Sequence, residues 1–248
     1  MTEFQKIKSF IESVTYEEKR CSCLDWKNGQ NPFVTISRQS GAGGNSLANA
    51  LLEELGRRQG PLFQGWKRFN QELCRKIAEE PGLKVYLDEL LKFEYRSAIE
   101  DMMDEIIAGN TPQDVVNKKI FHLIRTLATF GKAVLVGRGG VCLTRELPLG
   151  IHIRLVAPLE VRVKRMRDLL KLSEKKTKEF VLEQDKSRER LLKAFFGKNI
   201  DDPLLYDAIW NTGAVPIEQI ARSVVMMIEN KACLCKQAPL VHEKVTVN

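Results

Sequence analysis

The sequence predicts an α/β protein: a parallel β-sheet with helices on both faces. Two observations carry that prediction. Short runs of apolar residues with strand character are separated by long helical stretches. Long helical crossovers between strands imply parallel pairing with helices on both faces. A cluster of glycines stands between the first such run and the helix that follows it.

The 248 residues are 44% hydrophobic and 29% charged, an ordinary globular composition for one domain with sizeable insertions. The chain opens with an amphipathic helix that places Phe4, Ile7, Ile11 and Val14 on one face, docked against the domain or a partner. Gln30-Asn31-Pro32 interrupts that pattern. Phe33-Val34-Thr35-Ile36 then reads as a buried strand, and a helix through Ala48, Leu51, Leu52 and Leu55 ends near Gly56. From about Asn70 to Phe130 the pattern is almost wholly helical. Leu87, Leu90, Leu91 and Tyr95 share one face, and Pro112 opens a helix through Val115, Ile120, Leu123, Ile124 and Leu127. Gly131-Lys132 ends it. Ala133–Val136 and Ile151–Val156 are the next strands, Pro158 starts a helix, and Asp207–Asn211 is the last strand. Pro216 begins a closing helix with Ile217, Ile220, Val224 and Ile228 in register.

No run approaches the roughly 18 apolar residues of a membrane span, and the N-terminus lacks a signal-peptide core. These features predict a soluble cytoplasmic protein with no membrane partner. The Cys21/Cys23 and Cys233/Cys235 pairs have one-residue spacers, shorter than zinc ligation favours, and read as reduced structural thiols. Cys74 and Cys142 sit among apolar neighbours as small core residues. The net charge is +7; between Glu160 and Lys198, 13 basic residues face 7 acidic ones, so that segment holds +6 of it. Charge so concentrated suits a small polyanion or a solvated helical face. A pI near 9.1 raises nucleic acid as a partner, but the basic segment has few interleaved aromatics and no recognition module, which argues against it.

The segment Ser37-Arg38-Gln39-Ser40-Gly41-Ala42-Gly43-Gly44-Asn45-Ser46 lies where a strand feeds a helix. Glycines there let backbone amides converge on an anion, and the helix N-terminus adds partial positive charge. Gly41, Gly43 and Gly44 are the expected donors. The strict GxxxxGK[ST] pattern would place Lys where this chain has Gly44. Arg38 is the nearest replacement, since an arginine fork grips phosphate oxygens. The same glycines could instead begin a dinucleotide fingerprint. The region about 20 residues on is Phe63-Gln64-Gly65-Trp66-Lys67-Arg68, basic where NAD sites are acidic, which would favour NADP, yet no regular βαβ succession follows.

Taken together, Thr35–Gly44, Val136-Gly137-Arg138-Gly139, Ala157–Arg162, Asp185-Lys186-Ser187-Arg188, Tyr206-Asp207 and Asn211-Thr212 resemble the cytidylate kinase-like proteins, P-loop relatives of the nucleoside monophosphate kinases. The resemblance spans about Phe33 to Lys231. It implies a P-loop NTPase-type parallel sheet with a helical acceptor-binding insertion (about 70–130) and a helical lid (about 160–200) in a kinase-like domain over 31–232. Residues 1–30 then form an N-terminal helical extension and 233–248 a C-terminal tail. The implied activity is an ATP-dependent phosphotransferase acting on a small-molecule acceptor, with a nucleoside monophosphate as one candidate. A catalytically inactive nucleotide-binding regulator is the alternative. Mg²⁺ would arrive with the nucleotide and be held partly by water, with no protein residue assigned as its ligand.

By this resemblance Arg138 meets the acceptor phosphate, although cytidylate kinases carry Asp where this chain has Gly139. Arg38, Arg138 and Arg188 are the expected catalytic residues. Gly41, Ala42, Gly43, Gly44, Asn45, Ser46, Arg162, Asn211 and Thr212 are expected at the nucleotide. Asp185 lies three residues before Arg188, to pair with it or order it for lid closure. Arg165 reads as a solvated helical charge, and His122 and His152 as structural.

Overall fold

The computed structural model describes residues 3–20, 31–78, 111–137 and 139–237, with short pieces at 102–103, 106–107 and 109. The face formed by Leu87, Leu90, Leu91 and Tyr95, residues Cys21 and Cys23, and Arg138 all lie outside the described residues.

In chain order the described elements are α1 (Glu3–Arg20), β1 (Phe33–Arg38), α2 (Gly44–Gly56), β2 (Lys67–Asn70) and α3 (Gln71–Ala78). After these come α4 (Pro112–Phe130), β3 (Ala133–Val136), α5 (Gly140–Thr144), β4 (Gly150–Val156), α6 (Leu159–Leu170) and α7 (Glu174–Phe196). A turn of 3₁₀ helix at Pro203–Leu205 precedes β5 (Ala208–Asn211) and α8 (Ile217–Gln237). The five strands are all parallel, in the order β2-β3-β1-β4-β5.

The central strand β1 is flanked by β3, with Thr35 opposite Leu135, and by β4, with Thr35 opposite His152. Phe33, Val34 and Ile36 are fully buried, as a strand covered on both faces requires. One face packs Val34, Ile36, Val134, Ile151 and Ile153 against α2 and α8. The other packs Phe33, Ala133 and Leu135 against α1, α4 and α5. Ile7, Phe10, Ile11 and Val14 of α1 are all buried there, and Phe10 meets Phe69 edge-on. The apolar stripe of the first helix is therefore covered by its own chain.

Four strands stand where the apolar runs predict them. The fifth, β2, differs from expectation, because the sequence shows no strand between the helix that ends near Gly56 and the helical stretch from about Asn70. Lys67-Arg68-Phe69-Asn70 has one apolar residue, and only Phe69 is buried. As an edge strand bonded on one side to β3, it needs no apolar alternation. The helix at Pro112 starts as its sequence requires. Thr111 caps the Asp114 amide while Asp114 bonds back to Thr111, and Gly131 closes the C-terminus at φ 74°.

β1 and β3 are neighbours, yet β1 leads into α2 on one face and β3 into α5 on the other. Strand ends that send their chains apart open a crevice, where ligands of α/β sheets bind.

Candidate phosphate turn and cleft

The turn after β1 is held from three sides. Gln39 continues the sheet by donating its amide to the Leu155 carbonyl at 3.0 Å, and its side-chain oxygen accepts the Ala157 amide at 3.1 Å. The Ala42 amide closes back on the Gln39 carbonyl at 3.1 Å. Gly41 and Gly43 take φ of +79° and +87°, left-handed values that strain any side chain. At Gly41 a Cβ would also lie 2.6 Å from the Arg162 carbonyl oxygen, so α6 packs directly on the turn.

Gly43 is the N-cap of α2. No side chain caps the helix, and its first turn contains no acid. The amides of Gly44, Asn45 and Ser46 have no carbonyl one turn earlier in the helix to bond. Asn45 and Ser46 are exposed. Uncapped amides at the positive end of a helix dipole, in a glycine turn, form an anion cradle.

Asp185 of α7 organises the other side. One carboxylate oxygen accepts the Ser40 amide at 2.6 Å and Arg188 at 3.0 Å; the other accepts Arg162 at 2.6 Å. Arg162 is buried and also donates to the Ala157 and Ser40 carbonyls, at 2.9 and 3.2 Å. Its guanidinium thus ties α6, α7 and the turn together. Arg188 is held below its ordinary pKa first by burial and further by nearby Arg154 and Arg162, while Asp185 opposes the shift.

The loop after β5 joins the same turn. The Thr212 hydroxyl donates to the Ala42 carbonyl at 3.0 Å and accepts Arg165 at 3.0 Å, and Arg165 also donates to the Thr212 carbonyl at 2.8 Å. Arg165 is thus exposed to solvent, as expected, and is also bound to this loop. The Asn211 side chain accepts the Gly213 amide at 2.9 Å and shapes its own loop.

Between the ends of β1 and β3 lies an open cleft. Arg38 and Arg188 line it from opposite elements, with Gln71, Gln184 and Ser187 adding neutral polar groups. At its base Ser37 accepts Arg154 at 3.1 Å and Tyr206 at 3.3 Å. Arg154 is buried in β4, pairs with Asp201, and stacks over the Tyr206 ring at 5.7 Å. The signal for Arg154 was a lone charge in the apolar run Ile153-Arg154-Leu155, and sequence reasoning passed over it. His152 is buried with Nδ1 2.8 Å from the Thr35 hydroxyl, as a structural histidine. The expected residues thus fall into two groups: Gly41–Ser46, Arg162 and Thr212 around the turn, and Arg38 and Arg188 at the cleft.

A parallel sheet in this order, with a glycine turn between its central strand and the first crossover helix, is a P-loop-type fold. The profile of the cytidylate kinase-like family matches residues 33–214, and the chain belongs to that family. The solved structure of an uncharacterized protein from Eubacterium ventriosum shares the fold, with a TM-score of 0.63 at 20% identity over 81% of this chain and 99% of that one. A shikimate kinase from Bacteroides thetaiotaomicron aligns over 80% of this chain and 98% of its own, at 13% identity and a TM-score of 0.44. A stretch of 92 residues is 34% identical to a uronate isomerase from Corynebacterium glutamicum. That match covers 37% of this chain, which spans 18% of that protein's length.

Proposed function

We propose that the chain is an ATP-dependent phosphotransferase that holds the triphosphate on the Ser40–Ser46 turn and a small-molecule acceptor in the cleft beneath α7. The observation that carries this reading is the uncapped, acid-free start of α2 behind two left-handed glycines, opening beside a cleft lined by two arginines. The Ser40 and Ala42 amides are already engaged, so the anion faces the amides from Gly43 onward. Phosphoryl transfer asks a protein chiefly to position two anions and to neutralise charge between them. Arg38 and Arg188 would serve the transferring group and the acceptor, Arg138 the acceptor phosphate, and Thr212 and Asn211 the loop beside the nucleotide. Arg162 would act through the turn it braces.

Mg²⁺ would come with the nucleotide. Asn45 and Ser46, exposed in the first turn of α2, offer neutral oxygens of the kind that hard ion accepts. When bound, the ion neutralises charge on the phosphates. The helical lid, about 160–200, would close over the bound anions, and its excess of basic residues suits that role.

The test is ATP consumption across a panel of nucleoside monophosphates and small hydroxyl acceptors, with ATP binding followed by calorimetry. Turnover with one acceptor class is expected, together with loss of ATP binding in Gly43→Val, where φ +87° and Ile217 3.1 Å from the new Cβ exclude a side chain. Undiminished ATP binding in folded Gly43→Val refutes the assignment of the turn. A second reading, a nucleotide-binding regulator without catalysis, is favoured by Gly44 in the lysine position; ATP binding without turnover on every acceptor would establish it.

A further inference from the structure

The glycine at position 44 and the arginine at position 38 are linked by space. A Cβ at Gly44 would lie 3.0 Å from Cγ and 3.2 Å from Cδ of Arg38, so the arginine stem crosses the first residue of α2 where a side chain would begin. The other end of the same side chain meets a second glycine. Gly137, at φ +88° after β3, would bring a Cβ to 1.9 Å from Nη1 and 3.0 Å from Cζ of Arg38. Arg38 therefore runs through a channel with a glycine at each end, from the phosphate turn to the end of β3, and its guanidinium lines the cleft.

We infer that Arg38 and a lysine at position 44 are mutually exclusive occupants of one channel, and that Gly44 is glycine because Arg38 fills it; at Gly137 the φ of +88° already requires glycine. The cation that a strict GxxxxGK[ST] turn hangs from its helix is here delivered from the preceding strand. The functional half of this inference rests on the phosphotransferase reading; the packing half does not. It explains why loss of the lysine need not mean loss of charge. The stem lies against the turn, and the head faces the space between turn and cleft, where charge develops during transfer. It also predicts that reinstating lysine alone does harm, because its Cβ would start 3.0–3.2 Å from the mid-stem carbons of Arg38 and displace them.

A double-mutant cycle on the full chain tests this, using Arg38→Ala, Gly44→Ala and the pair, with melting temperature and turnover read in parallel. Gly44→Ala should lower turnover about tenfold or more, because displacing a catalytic cation by an ångström can cost up to about a hundredfold. In the Arg38→Ala background the same change should cost less than about twofold and should raise the melting temperature, since alanine is the better helix former once the stem is gone. Gly44→Lys should be inactive alone and should recover part of the loss when combined with Arg38→Ala. Losses that multiply, with melting shifts that add, would overturn the inference. Should the parent turn over no acceptor, the phosphotransferase reading fails. The melting temperatures then decide the packing alone: a reversed sign of Gly44→Ala upholds the channel, and an unchanged sign rejects it.

Discussion

Asp185→Ala should be among the more damaging single changes near the site, although the residue faces solvent in part. Its carboxylate accepts the Ser40 amide, Arg162 and Arg188, at 2.6, 2.6 and 3.0 Å. Removing it leaves Arg162, whose side chain is 7% exposed, with only the carbonyls of Ala157 and Ser40, and leaves the Ser40 amide without its acceptor. Breaking a buried pair from one side costs about 3–5 kcal/mol. Asp185 is 24% exposed, so water repays part, and about 2–3 kcal/mol is the expected loss. For a chain of this size that lowers the melting temperature by roughly 5–10 °C. Two companions locate the cause. Arg188→Ala leaves the Asp185–Arg162 pair intact and should cost about 1 kcal/mol or less. Asp185→Asn keeps an acceptor for Ser40 and should fall between the two. Scanning calorimetry and urea unfolding read all three. An Asp185→Ala variant melting within about 1 °C of the parent would refute Asp185 as the tie between α7 and the turn.

Two other measurements bear on the lid and the sheet. If residues 160–198 close over bound anions, ATP affinity should fall with ionic strength, because the segment carries +6, and saturating ATP should slow proteolysis there; a digestion pattern indifferent to ATP would count against closure. Burial beneath the sheet pulls His152 down to about 4, with Lys231 and Arg145 adding to the shift and Asp207 opposing it. The folded protein then binds fewer protons than the unfolded chain between about pH 4 and 6.5, so stability should fall as pH drops through that window and the loss should be complete below it. Between pH 7.0 and 4.5 the histidine should account for about 2 kcal/mol, which urea unfolding of the parent and His152→Gln can resolve. Equal pH slopes in the two proteins would reject that account.

What the sequence revealed follows from what periodicity measures. An apolar run reports burial on both faces, so β1, β3 and β4 were legible. β5 is an edge strand with no fully buried residue and was legible only through the apolar run Ala208-Ile209-Trp210, whereas β2, an edge strand whose one apolar residue is Phe69, carries no such signal. The stripe on α1 announced a covered helix without saying what covers it; the cover is α3 and α4, far along the chain. The glycine turn was legible because positive φ and close approach demand glycine locally. Pairing across distance was not. Asp185 and Ser40 are 145 residues apart, and Asp185 looked like the local partner of Arg188 alone. Arg165 shows the same limit. Its exposure could be read from the helix pattern, but its bonds to Thr212, 47 residues on, could not.

The charge arrangement around the cleft bears on why this fold would bind an anion and not merely tolerate one. Among the described residues, Arg154, Arg162 and Arg188 gather beneath α7, and the carboxylates bonded to them are Asp201 and Asp185. Asp201 serves Arg154, while Asp185 is shared between Arg162 and Arg188 and also holds the Ser40 amide. Three positive charges thus meet two negative ones in a partly dry setting, and Arg188 carries the consequence, its charged form disfavoured by burial and by Arg154 and Arg162. A site balanced by its own carboxylates would have little to gain from a ligand. Here an incoming phosphate or carboxylate offsets an existing imbalance, so binding and the ordering of Arg188 on α7 favour each other. On the proposed function, the fixed arginines Arg154 and Arg162 would raise the local potential without touching the ligand, and the cleft-facing Arg188 would receive the anion. If the chain transfers a phosphoryl group, as proposed, a preset excess of this kind would stabilise the transition state without reorganising the protein.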